Sequence, residues 1–65
     1  LADVAVHDHG SIVILVPLTD AAGDFFDERL PDDCPMWGAG YAVERRYAAD
    51  ILEGLNEEGL EFEVS

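Results

Sequence analysis

The sequence predicts a single α+β domain over residues 1–65, ordered strand–strand–helix–helix–strand (ββααβ). Its expected core is a three-stranded antiparallel sheet of order 1-2-3, carrying one short and one long helix. Three observations lead there. Two β-branched runs flank a glycine near the N-terminus, apolar residues then recur twice at helical spacing, and the chain closes on a strict apolar–polar alternation.

Residues 3–8 (DVAVHD) and 11–16 (SIVILV) are the two β-branched runs, and they flank His9-Gly10. That pair is read as the tight hairpin turn. The second run is apolar on both faces, which places it at the centre of the sheet. Pro17 ends its ladder because it has no N–H to donate. Thr19 suits an N-cap, and Asp20 favours the positive end of a helix dipole. Ala22, Phe26 and Leu30 follow at i, i+4 and i+8, with Ala21 and Phe25 beside them, so residues 20–29 read as a short helix. Gly23 weakens it by about 1 kcal/mol. Residues 31–40 (PDDCPMWGAG) hold two prolines and two glycines and read as a loop.

The second helix is expected over residues 41–58. Val43, Tyr47, Ile51 and Leu55 repeat every four residues, and Ala48 and Leu52 fill the stripe. Gly59 suits the left-handed position that stops a helix, with Leu60 folding back onto Leu55. Residues 60–64 (LEFEV) alternate strictly and read as a half-buried edge strand, returning antiparallel beside the second strand. The helices are expected to cover at least one face.

Composition then bounds what the domain can do. A chain this short buries only about 60% of its unfolded surface, yet 49% of its residues are hydrophobic, too many for a disordered tail. Fifteen Asp and Glu against three arginines give a net charge of −12, and their mutual repulsion opposes compactness. That balance argues against direct contact with a nucleic-acid backbone or an anionic membrane, and it favours a positively charged partner. Cys34 is the only cysteine, so neither an internal disulfide nor a thiolate metal cage is expected, which suits a reducing cytosol. The longest apolar run, residues 12–18, is too short to span a bilayer. No basic region precedes an apolar stretch at the N-terminus, so no signal peptide is expected.

The residues that could carry chemistry are few. His7 and His9 would point to one side of a strand and could both reach a metal, but no third ligand accompanies them and Asp8 would point away. They read as histidines that shape a hairpin end. Cys34 follows Asp33, and nearby carboxylates disfavour a reactive thiolate. No phosphate loop, nucleophile elbow or calcium loop is present, because the acids between Asp20 and Asp33 do not keep calcium-ligand spacing. A domain this small also offers little room for a desolvated catalytic pocket. The expectation is a protein that is not an enzyme and uses neither metal nor cofactor.

The acids themselves are arranged. Asp20, Asp24, Asp27 and Glu28 form an outward stripe on the first helix, continued by Asp32 and Asp33 in the loop. Asp50, Glu53 and Glu57 form a second stripe, continued by Glu58. Three features distinguish these stripes from ordinary solvated surface. Lysines are absent, like charges at i and i+4 oppose the first helix, and Glu57 and Glu58 sit at the negative end of a helix dipole. Local rules broken together mark function. Carboxylates one helical turn apart repeat every ~5.4 Å, and a nucleic-acid strand is likewise a regular row of single negative charges. The stripes therefore read as phosphate-like surface, a mimic of DNA, made to occupy a basic groove on a partner. Met36 and Trp37 read either as a packing lid or as an exposed interface anchor.

The stretches DVAVHDHGSIVILVPLT and VERRYAADILEGL resemble those of small proteins encoded by prophages and plasmids. Size, charge and element order are similar to those of anti-CRISPR proteins, specifically inhibitors of type I (Cascade) systems, with type I-C the suggested target. The resemblance implies an inhibitor acting in the cytoplasm of an infected bacterial cell, and the domain is expected to be a monomer. It would bind the basic surface of a Cas subunit that reads the PAM or holds target DNA. It carries no sharp motif, so no family site maps onto individual residues. The competing expectation is an antitoxin-like or adaptor module that neutralises another basic protein.

Overall fold

The computed structural model describes residues 2–64. Their elements are β1 (Val4–His9), β2 (Ile12–Pro17), α1 (Asp20–Arg29), β3 (Met36–Trp37), β4 (Gly40–Glu44), α2 (Arg45–Glu57) and β5 (Phe62–Val64). The α+β class and both helices stand, but the sheet is larger than the sequence suggested. It has five strands in the order β3-β4-β2-β1-β5. It is also mixed. β2 pairs antiparallel with β1 and β4, β3 pairs antiparallel with β4, and β5 lies parallel to β1.

One residue shift accounts for most of the difference. Residues 41–44, expected as the first turn of the second helix, form β4 together with Gly40 from the end of the expected loop. Val43 satisfies both periodicities, standing four before Tyr47 and two after Tyr41. Tertiary context decides between them. β2 is apolar on both faces and takes a neighbour on each side, and β4 is the second, with Val13 opposite Val43 and Leu15 opposite Tyr41. β4, with β3 beyond it, takes the side of β2 on which the last strand was expected. α2 crosses back over the sheet, and β5, whose direction is still opposite to that of β2, settles beyond β1 and pairs parallel with it. At that outer edge all three residues of β5 are exposed, not half-buried. Part of the expected 31–40 loop is likewise strand, with Met36 opposite Tyr41 and Trp37 opposite Gly40. The first hairpin turns at Gly10-Ser11, because His9 pairs with Ile12 inside the ladder. Gly10 alone supplies the positive φ, +87°, which fits a two-residue turn with glycine in its first central position.

Both helices pack on one face of the sheet. Val4, Val6, Val13, Leu15 and Val43 meet Phe25 and Phe26 of α1 and Ile51 and Leu55 of α2. The helices run antiparallel to each other. Near the start of α2, the Tyr47 hydroxyl donates to the Arg29 carbonyl at the end of α1, at 3.1 Å. α2 stops as expected, with the Leu60 N–H on the Leu55 carbonyl at 2.9 Å and the Gly59 N–H on Asn56 at 3.1 Å.

Two aspartates clamp opposite ends of this layer. Asp3 accepts from the Thr19 hydroxyl at 2.9 Å and from the Glu61 N–H at 3.0 Å, while Thr19 caps α1 through the Ala22 N–H. It thereby joins the start of β1, the start of α1 and the approach to β5. Asp8 pairs with Arg45 and also accepts from the Gly10 N–H at 2.8 Å. The Arg45 Nε donates to the Gly10 carbonyl at 2.8 Å, so the hairpin turn is tied to the start of α2.

Two predictions follow from the packing. A Cβ at Gly40 would lie 2.5 Å from Ile14 Cγ2 and 2.9 Å from Val16 Cγ2. Gly40→Ala should therefore cost about 1–3 kcal/mol, read as a lower urea midpoint at unchanged slope. The second concerns pH. The Glu61 N–H, and next the Thr19 hydroxyl, hold the Asp3 carboxyl below its ordinary pKa. A carboxyl lowered in the folded state stabilises above its unfolded pKa, and that contribution disappears as pH falls through the folded value. The Tm difference between wild type and Asp3→Asn should accordingly be full at neutral pH and vanish once Asp3 is protonated. A difference independent of pH would show that the carboxylate charge is not what holds this joint.

Candidate partner-binding surface

The acids picked out from the sequence are placed by α1, by the loop after it and by α2, all on the helix side of the molecule. Each of Asp20, Asp24, Asp27, Glu28, Asp32, Asp33, Asp50, Glu53, Glu57 and Glu58 is exposed. None is in an ion pair. Among the described residues the one ion pair is Arg45 with Asp8, a carboxylate outside both stripes. Arg29 is engaged elsewhere, its guanidinium 4.8 Å above the Phe25 ring.

The stripes are not one continuous surface. Asp20, Asp24 and Asp27 flank a hollow beside Pro17 and Leu18. Asp24 also lines the cleft between the helices, where it meets Glu28 and Glu58 with Arg29 in the same cleft. Asp27 and Asp32 share a hollow at the β3 side. Asp33 and Asp50 come together across a groove that also holds Arg46. Glu53 and Glu57 stand out on α2 and share none of these hollows. The structure thus joins the loop acids to both helices and leaves the outer stripe of α2 by itself.

The side of the sheet away from the helices is a second surface, one that the sequence reading did not separate from the first. Ala5, His7 and His9 of β1 share it with Ile12, Ile14 and Val16 of β2. His7 and His9 do lie on one side, with Asp8 turned the other way into its pair with Arg45. Trp37 is 62% exposed and Met36 55%, so neither is a buried lid. The His9 and Trp37 rings meet at a centroid distance of 5.2 Å. Since β2 and β4 lie between their strands, the pair bridges the open face. Ile14, on the same face, is only 5% exposed although no helix covers that side. The signal was in the pattern: β2 is apolar on both faces, but the chain offers only two helices to cover them.

Burial, and then the charge of Asp33, push the Cys34 thiol above its ordinary pKa, which keeps it protonated and unreactive. No group of three His, Cys, Asp or Glu among the described residues is disposed to hold a metal ion. No helix there is long and apolar enough to cross a membrane. No protein-family model, curated protein or solved structure matches this chain. Zinc at stoichiometric concentration should leave the Tm unchanged, because His7 and His9 make an incomplete ligand set. A clear upward shift that is lost in a His7→Gln/His9→Gln variant would show otherwise.

Proposed function

We propose that the domain is an inhibitor that binds a basic, nucleic-acid-binding protein, presenting the carboxylates of α1, α2 and the intervening loop in place of phosphates. The observation that carries this reading is the division of labour among the acids. Asp3 and Asp8 are engaged in the fold, whereas every stripe acid is exposed and outside any ion pair. With a net charge of −12, such surface costs the fold stability and returns none. Neutralisation by a Lys/Arg groove removes that cost, and it steers association as well. In its most specific form the partner is a Cas subunit of a type I effector, blocked where it reads the PAM or holds target DNA, and the inhibitor acts as a monomer in the bacterial cytoplasm. The exposure of Trp37 and Met36 favours the second reading, an antitoxin-like or adaptor module whose partner is recognised through apolar anchors as well as charge.

The test uses a partner retained from lysate of a host carrying a type I CRISPR system. Changing Asp50, Glu53 and Glu57 to Lys should abolish its binding while the Tm holds or rises. These positions lie outside the core, and a lysine at 57 complements the helix C-terminus by about 0.3–1 kcal/mol. Wild-type affinity should fall steeply with salt, and target DNA should compete. Affinity that is indifferent to salt, to DNA and to the three reversals would overturn mimicry.

A further inference from the structure

The ladder between β3 and β4 stops early. The Ala42 N–H donates to the Pro35 carbonyl at 2.9 Å, but Pro35 has no N–H to return. The chain before it turns away, with the Cys34 N–H on the Pro31 carbonyl at 3.0 Å. Along β4 the hydrogen-bonding direction alternates. The pairing with β2, continued by the Arg45 N–H on the Ser11 carbonyl, directs the main-chain groups of Tyr41 and Val43 inward and those of Ala42 and Glu44 outward. Among the described residues nothing donates to the Ala42 carbonyl, and nothing accepts from the Glu44 N–H. These two groups border a groove of about 620 Å³ lined by Ile12, Pro35, Ala42, Val43 and Tyr47. Its walls carry Asp33, Glu44 and Asp50 against a single arginine, Arg46.

We propose that this groove receives an extended, basic peptide segment of a partner protein, added as a short strand to the outer edge of β4. One residue of such a segment meets both open groups. Its N–H donates to the Ala42 carbonyl while its own carbonyl accepts from the Glu44 N–H, the pattern of a parallel pair. Neighbouring side chains of the segment then fall alternately toward Ile12 and Ala42 on one side of the edge and Val43 and Tyr47 on the other. Charge selects the occupant: three carboxylates against one guanidinium favour lysine or arginine, and the chain as a whole repels acidic segments. The assignment rests on the partner being basic, not on mimicry of nucleic acid.

The probe is the acetylated, amidated peptide Lys-Val-Lys-Val-Lys, titrated into ¹⁵N-labelled protein at low salt and followed by amide shifts. A second peptide of the same sequence, N-methylated at every residue, keeps the charge and removes the main-chain donors. The expected result is a set of shifts centred on Val43, Glu44 and Ile12, with the methylated peptide at least tenfold weaker. Asp33→Lys combined with Asp50→Lys should weaken the unmethylated peptide by a similar factor. Equal affinity for both peptides, shifts confined to the helix acids, or no binding would each overturn the edge site. If the edge site fails while Lys reversal on α2 still abolishes partner binding, the inhibitor reading survives without it.

Discussion

Two short helices can cover one face of a five-stranded sheet and no more, and the layout of this molecule depends on that limit. α1 has 10 residues and α2 has 13, so they are about 15 Å and 20 Å long. Side by side they blanket a width of about 20 Å, close to that of five strands spaced by about 4.8 Å. Nothing remains for the other side. The chain meets this shortage with local means. The His9–Trp37 pair spans the open face, and Gly40 lets β4 lie directly against the Ile14 and Val16 side chains. An indole that is 62% exposed is the visible consequence.

Charge follows the same division between what the fold uses and what it leaves free. α2 begins with Arg45 and Arg46 and ends in Glu57, each opposed to the helix dipole. At the first end the mismatch is offset, because Arg45 reaches Asp8 and the Gly10 carbonyl and so fixes the hairpin turn. At the second end nothing offsets it: the last turn of α2 holds no basic residue. A carboxylate placed against a dipole without a partner is a cost carried by the folded state alone. The same cost recurs along α1, where like charges stand one turn apart. Its removal requires a cation from outside the molecule.

How much of this was legible in the sequence varied with how local the determining interactions were. The first hairpin strands, the α1 boundaries with Thr19 as cap, and the Gly59–Leu60 stop to α2 were all readable, since each depends on residues within a few positions. β4 was not. Its residues fit a helix as well as a strand, and the choice was made by β2, almost thirty positions earlier, which takes a neighbour on each side. The parallel placement of β5 then followed from β4 and was equally hidden. At the site, the exposure of each acid was readable from helical spacing. Which acids come together was not, because the contact of Asp33 with the Asp50 groove depends on how the loop folds back. The open edge of β4 could not be seen without β4, although Pro35, which creates it, was in plain view.

Sheet edges invite pairing with other chains, and proteins guard them with short strands, prolines and charge. This domain does so at both ends. β3 has two residues and β5 three, Pro35 truncates the first, and the second is preceded by Glu61 and carries Glu63 at its centre. The open edge from Ala42 to Glu44 lacks a partner strand but not a guard of charge, since Asp33, Glu44 and Asp50 surround it. For a second copy of this chain, with its own −12, those carboxylates are repulsive. For a cationic strand the same carboxylates are attractive. One set of charges therefore disfavours one kind of strand at this edge and favours the other, because the sign of the visitor decides which effect operates.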